Sequence, residues 1–571
     1  MTREGATLLR ARVNPRRHVL RKARLLSLAI PVFVAGFYGA APAAASPGHG
    51  TSGSTSVTNI VESTPITGNQ NDFQNNCASG YYGTGSSLRG NHSESDLAVN
   101  PTNGSLLGAS KFFFGGTEVS GYTDFSPQYN FHLGSYAMSP SGAAAGQNQI
   151  IPGYSDGATC QGSGDSRGIH WTNSTDPSVA FNSAGDAFTA VLPYTQGTSS
   201  MPNGAIFVNK LASGGSSWGA PVLASPLYGT TGTGQGPDKQ WVAAYGQYVN
   251  ACWAVFHGYW GSEVYCSQST DGGKTFWNAS NPVRISLNKL DGPFNTYVYP
   301  RYDSTGTLYV TYMSDNGAPA TDAVDMNGYK RGNTGVVYTL VSTDHGATFS
   351  PAVRGFSVDI LPYHLNNPAT NFRDGIPYFM YASQQRPGRL FAVTEDNTGG
   401  NGNVYIYQSN DGGTTWSAYS AANAVMVNSA DPNDQFQPSV TTDSSGNVGV
   451  AWYDRRNACS TGETNTCIDT YAQLYTDSGT GAFTLQANGG NIRASQYTWD
   501  PRLPVKPAQP NCGDDLPHPG GGCGTSFIGD YFGVGLGSGN FYILNVSTAN
   551  FGGNTNTNND QQQVLQIVPI P

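Results

Sequence analysis

Three segments of this chain repeat one pattern, S-x-D-x-G-x-T followed by Phe or Trp. They run from Ser269 to Phe276 around Asp271 and Gly273, from Ser342 to Phe349 around Asp344 and Gly346, and from Ser409 to Trp416 around Asp411 and Gly413. Each follows an apolar strand: Val264-Tyr265-Cys266, Val336-Val337-Tyr338 and Val404-Tyr405-Ile406-Tyr407. The residue types are those of a hairpin turn. Asp and Ser oxygens accept hydrogen bonds from turn N–H groups, Gly permits a positive φ, and the aromatic packs beneath the loop. Successive copies begin 73 and 67 residues apart, too far for one hairpin and suited to one multi-stranded unit each. Repetition at such a period means stacked sheets that bury their faces against one another.

A second recurring element precedes these turns: a polar anchor, a D/N-x-x-G turn, then an alternating strand. The clearest copies are Asp176 to Gly185, Pro300 to Val310, and Gln437-Pro438-Ser439-Val440 continuing to Trp452. Looser copies start at Asp96, Asp238, Asn367 and Asp530. Each matches the two innermost strands of one sheet. The S-x-D-x-G-x-T turn is the Asp box, or BNR repeat, and residues 90–550 resemble sialidases and other Asp-box β-propellers. The resemblance implies an all-β propeller of six or seven four-stranded blades with Asp-box hairpins on the rim. Seven anchors permit seven blades, six is the sialidase number, and terminal segments can complete one sheet. On this view the box residues are structural, because one carboxylate per box falls far short of the six or more oxygens of a calcium site.

The N-terminus reads as an export signal. Arg16-Arg17-His18-Val19-Leu20 and Arg21 to Arg24 are basic, Leu25 to Ala41 is mostly apolar, and Ala43-Ala44-Ala45 offers a cleavage site. The arginine pair also resembles a twin-arginine signal, so Sec and twin-arginine export both stay open. Residues 46–58 form a Ser/Gly/Thr-rich leader, and 59–571 form one propeller with a Pro/Gly-rich insertion at 504–524. Residues 1–45 hold eight of the 28 Lys and Arg and one of the 37 Asp and Glu, so the remainder carries a formal charge of −16. That balance argues against nucleic acid and against an anionic membrane as partners. Eight cysteines in an exported chain suggest disulfides. Proximity suggests Cys252–Cys266, Cys459–Cys467 and Cys512–Cys523, with Cys77–Cys160 remaining. No C-x-x-C spacing points to zinc, and neither a metal nor another cofactor is expected.

Chemistry in such a ring belongs where the innermost strands converge on the central channel. The candidates there are Asp96, Asp176, Asp238, Arg301, Arg373 and Asp530, with Arg455 after an inner strand and Glu94 beside an anchor. Tyr531 joins them because Phe527 to Gly533 resembles a recurrent segment of secreted BNR proteins. By resemblance, a sialidase needs three arginines on the substrate carboxylate, an Asp acid/base and a Tyr nucleophile with its Glu. Arg301, Arg373 and Arg455 would supply the arginines, although the early [FY]-R-I-P motif is absent. Each candidate has a plainer role too, since Asp caps turns and Arg beside Asp braces neighbouring blades. The function expected is carbohydrate-directed: an exo-glycosidase of sialidase type acting on terminal sugars of extracellular glycans. The alternatives are a non-catalytic propeller binding glycan or protein and an envelope-associated scaffold. A secreted monomer meeting a glycan or glycoprotein fits all but the last. Three arginines beside a Tyr–Glu pair would indicate hydrolysis, an aromatic and amide-lined mouth binding, and a plugged channel a scaffold.

Overall fold

A computed structural model describes residues 56–62, 92–113, 131–145, 148–151, 173–194, 204–229, 235–257, 261–286, 293–314, 334–362, 365–366, 374–478, 485–502, 528–549, 551 and 561–571. They form seven antiparallel sheets, each strand pairing with the next in sequence from the inside outwards. The innermost strands of blades I to VII are His92–Val99, Asn173–Phe181, Gln235–Tyr245, Asn295–Tyr302, Tyr378–Ala382, Gln435–Thr442 and Gly533–Gly537. Each lies against its successor, and Gly533–Gly537 touches both Gln435–Thr442 and His92–Val99, which closes the ring. The molecule is therefore a seven-bladed β-propeller. Closure is made by the chain's two ends, because Thr58–Val61 pairs with Gln562–Pro569 as the outermost strand of blade VII. Of the two expected blade counts, seven holds, and a terminal segment also completes a sheet.

Because every blade is sandwiched between two others, its middle strands are buried on both faces. Leu308–Ser314 has no exposed residue, and Trp253 and Trp452 are fully enclosed. The inter-blade cores are aromatic and aliphatic, as where Phe188, Val242, Val249, Trp253 and Phe276 meet between blades II and III. Burying both faces of a sheet is what makes such strands read as long apolar runs.

The turns behave as their residue types dictate. In all three Asp boxes the Ser Oγ donates to the Asp and accepts from the Gly four residues on, as in Ser269 to Asp271 at 2.8 Å and Gly273 N–H to Ser269 at 2.9 Å. The carboxylate then accepts from the Thr two ways: Thr275, Thr348 and Thr415 each give a backbone N–H at 2.8–2.9 Å and a hydroxyl at 2.6–2.7 Å. The D/N-x-x-G turns join the first and second strands of blades II, IV and VI, with Gly185, Gly306 and Gly446 at φ of 83–87°. Blade V lacks this turn. Its anchor, expected at Asn367, lies outside the described residues, and its innermost strand begins only at Tyr378.

Two of the four suggested disulfides are formed, Cys252–Cys266 across adjacent strands of blade III and Cys459–Cys467 in blade VI. Cys77, Cys160, Cys512 and Cys523 lie outside the described residues, as do the signal, the leader up to Thr55 and the 504–524 insertion. Among the described residues no helix is long and apolar enough to cross a membrane.

Candidate functional site

The innermost strands share one irregularity. Those of blades I, II, III, IV and VI each carry a bulge, between Ser93 and Ser95, Thr175 and Ser178, Asp238 and Trp241, Thr296 and Tyr299, and Phe436 and Ser439. At each bulge a non-glycine residue takes a positive φ: Glu94 at 46°, Asp176 at 56°, Lys239 at 54°, Tyr297 at 53° and Gln437 at 46°. In blade VII Gly529, just before Asp530, has φ 97°. Such backbone costs on the order of 1 kcal/mol per residue, so its recurrence at five equivalent places marks a site where geometry outranks local stability. The sequence accommodates it locally. Pro177 and Pro438 follow the bulge residues directly, and a proline in a central strand is tolerated at a bulge.

The strain collects charge on the ring axis, near the mouth where the innermost strands begin. Lys239 Nζ lies 2.9 Å from Asp176 Oδ2 of blade II and 2.5 Å from Asp530 Oδ2 of blade VII, while Asp238 lies 3.6 Å away. Lys111 Nζ, from the second strand of blade I, lies 2.6 Å from Glu94 Oε2 and 3.3 Å from Thr175 Oγ1. Thr175 also donates to Asp176. Glu94, Asp176 and Asp530 are 1, 3 and 4 % exposed, whereas Asp238 reaches the surface.

This crowding separates the two nearest acids. Burial, reinforced by the charge of Asp176, pushes the Glu94 carboxyl well above its ordinary range, and Lys111 opposes this without prevailing. Burial acts on Asp176 in the same sense, but Lys239, Lys111 and a hydrogen bond from Glu94 hold it well below. Lys239 also resists burial, kept charged by Asp176, Asp238 and Asp530. The two neighbours are thus pushed in opposite directions, Glu94 towards holding its proton and Asp176 towards losing it, the division of labour required of an acid and a base. The three carboxylates converge closely enough to suggest a cation site, but the Lys239 ammonium already lies against two of them.

Below the ring the channel is filled. Two residues along their strands from the bulges, Trp241 and Tyr299 turn inwards and meet Phe379 and Tyr531. Trp241 lies 5.0 Å from Tyr299, 5.0 Å from Phe379 and 5.2 Å from Tyr531, ring to ring. Tyr531 spans the channel to donate its hydroxyl to Pro177 O at 2.8 Å, and burial with the surrounding carboxylates pushes that hydroxyl far up. A further step along, Arg301 lies under this layer, its guanidinium 5.2–5.9 Å from the Trp241, Tyr299, Phe379 and Tyr381 rings.

The structure thus brings Glu94, Asp176, Asp238 and Asp530 together, with Tyr531 just beneath. Asp96 sits lower, its carboxylate accepting from Leu97 N–H at 2.9 Å and, across the blade boundary, from Val179 N–H at 2.7 Å. Arg301 is separated from the ring by the aromatic layer. Arg455 is fully buried, 3.6 Å from Asp434 and stacked over Phe436. Arg373 lies outside the described residues. No three-arginine clamp therefore forms among the described residues, and both described members, Arg301 and Arg455, are packed elsewhere in the blades. Sequence reasoning missed Lys111, Lys239 and Trp241. One signal was available: lysine is rare, and Lys239 follows an anchor directly.

Neither a protein-family model nor a curated protein matches this chain. Among solved structures it is similar to a Dyadobacter fermentans protein of unknown function (13 % identity, 84 % of this chain and 95 % of that one, TM-score 0.39). It is also similar to the Hadza microbial sialidase Hz136 (13 %, 78 % and 74 %, 0.38) and to an α-L-arabinofuranosidase from Fusarium graminearum (12 %, 69 % and 92 %, 0.35). The latter two are glycosidases at low identity, and superpositions this loose carry no argument about activity.

Proposed function

We propose that the protein is a carbohydrate-active propeller that engages extracellular glycan at the mouth above the Glu94–Asp176–Lys239–Asp530 ring. Glu94 serves as the acid and Asp176 as the base or charge-stabilising partner in cleavage of a glycosidic bond. The observation that carries this is the convergence of Glu94 and Asp176 at a strained axial position, where burial and the two lysines push their proton affinities apart. Lys239, paired with Asp176, would keep that carboxylate ionised, the state in which it acts as base or faces the positive charge developing on the sugar. Tyr531, whose hydroxyl donates a hydrogen bond to Pro177 O, acts as floor and spacer. The two disulfides suit a compartment outside the reducing cytoplasm.

The test is turnover of fluorogenic glycosides, a sialoside and an arabinofuranoside among them, by purified protein from pH 4 to 8. Glu94→Gln and Asp176→Asn should each lower kcat by about 10²–10⁴-fold with the melting transition retained. A second reading rests on the burial of the same cluster. Each acid faces an ammonium or a backbone donor at 1–4 % exposure, which suits an ionic keystone in a glycan-binding propeller without catalysis. Absence of turnover on every glycoside, from folded protein, would leave that reading and remove the first.

A further inference from the structure

The channel has a second mouth, where the first and second strands of each blade turn into one another, and it opens into a cavity of about 870 Å³. Its wall is made of the turns around Asn100, Asn182, Asp303, Asp443 and Ser538, and its floor of Arg301, Phe379 and Tyr381. The volume exceeds that of a monosaccharide and falls in the ordinary range of ligand pockets. The aromatic layer separates it from the ring of acids, so nothing proposed for that ring bears on it.

Arg301 is the anomaly. Arg389, Arg455 and Arg456 each have a carboxylate within 2.6–3.6 Å, namely Asp477, Asp434 and Asp454. Arg301 has no such partner among the described residues. Its Nη1 donates to the neighbouring Pro300 O at 3.0 Å, and its Nε is buried with no acceptor. The four ring faces around it compensate part of the lost hydration and fix the guanidinium plane, but they accept none of its in-plane hydrogen bonds.

The acids that share the cavity are occupied elsewhere. Asp303 accepts from Thr305 and Thr307 N–H and from the Tyr309 hydroxyl. Asp443 accepts from Ser445 and Asn447. Asp96 is held by Leu97 and Val179 N–H groups. A planar, pre-oriented guanidinium at the floor of a hydroxyl- and amide-rimmed cavity matches a carboxylate on a polyhydroxylated molecule.

We propose that this far mouth is a second binding site, specific for a hydroxylated carboxylate of the sugar-acid class, with its carboxylate on Arg301. The ligand's hydroxyls face the rim, where Ser304, Gln384 and Ser444 line the cavity. Asp96, Asp303 and Asp443 are the acids facing Arg301 or the cavity. Burial raises Asp96 to about 6 against the pull of Arg301, so its negative charge fades and binding tightens as pH falls from 8 to 5.5.

Isothermal titration of purified protein with sodium D-glucuronate, against D-glucose as the neutral control, tests this. Glucuronate should bind at least tenfold more tightly than glucose, and more tightly at pH 5.5 than at pH 8. Arg301→Gln should abolish the difference between the two sugars. Because that change could unsettle the aromatic layer, Asn103→Trp with Ser304→Trp supplies an independent variant that narrows the exposed rim and leaves the floor intact. It should lose glucuronate binding at an unchanged melting temperature. No heat from glucuronate, equal affinity for glucose, or undiminished binding in the rim variant would each overturn the proposal.

Discussion

At the scale of single residues, the carboxylates of this protein do two opposite things, and both are read from what surrounds them. In the Asp boxes, slight burial tends to raise Asp271, but Thr275, Ser269 and Lys274 donate to it and hold it at about 2. Asp344 and Asp411 are lowered in the same way. A depressed acid contributes stability above its unfolded value, near 4, and loses it as pH falls towards 2. Asp271→Ala should therefore cost about 1 kcal/mol in urea unfolding at pH 7 and clearly less at pH 2. An equal cost at both pH values would show that the charge plays no part. Asp96 runs the other way, because burial raises it to about 6. The native state then binds the extra proton, so its contribution is complete below about 4 and is lost as pH rises to 6. In Asp96→Asn the stability curve should flatten across that window, as read by thermal melts at half-unit pH steps.

At the scale of elements, the Asp box is a self-sufficient turn that nonetheless fits a neighbour. Gly413 has φ +83°, and a Cβ there would run into Thr339 of blade IV. Gly273 meets Phe188 of blade II in the same manner, at 2.9 Å. Gly413→Ala combines a disfavoured backbone with overpacking and should destabilise by about 2–4 kcal/mol in denaturant titration. A loss below 0.5 kcal/mol would mean that the turn can leave its neighbour freely. The hairpins were legible because the Ser–Asp–Thr bonds that shape them lie within eight residues. The bulges were not, since nothing in Ser93-Glu94-Ser95 or Asp238-Lys239-Gln240 announces a positive φ. Only Asp176-Pro177 and Gln437-Pro438 carried a trace, the proline that a regular central strand would refuse.

At the scale of the whole molecule, stability depends on closing the ring. Thr58–Val61 joins blade VII to the other end of the chain through four paired residues. Removing residues up to Glu62 should lower the melting temperature and expose the edge of Gln562–Pro569, with self-association visible in light scattering. An unchanged melt would show that the inter-blade cores alone hold the ring. The Cys252–Cys266 bridge spans 14 residues within one blade. Its double replacement by Ser should cost about 3 kcal/mol by loop entropy while leaving the blade count intact. The candidate site belongs to this scale as well. Lys239 and Asp530 stand 291 residues apart, and Tyr531 reaches Pro177 over 354.

By itself the sequence determined the parts whose bonds are local: the Asp-box and D/N-x-x-G turns, the strands they join, and hence an all-β propeller of repeated blades. It also named Glu94, Asp176 and Asp530 as members of the channel, because they sit beside the anchors of inner strands. Only the tertiary structure decided that there are seven blades, that Lys111 and Lys239 lie between those acids, and that Arg301 and Arg455 are held apart. The physical reason is distance along the chain. A turn is fixed by its neighbours in sequence, whereas the ring of charges exists only where strained residues from separate blades are turned to one axis.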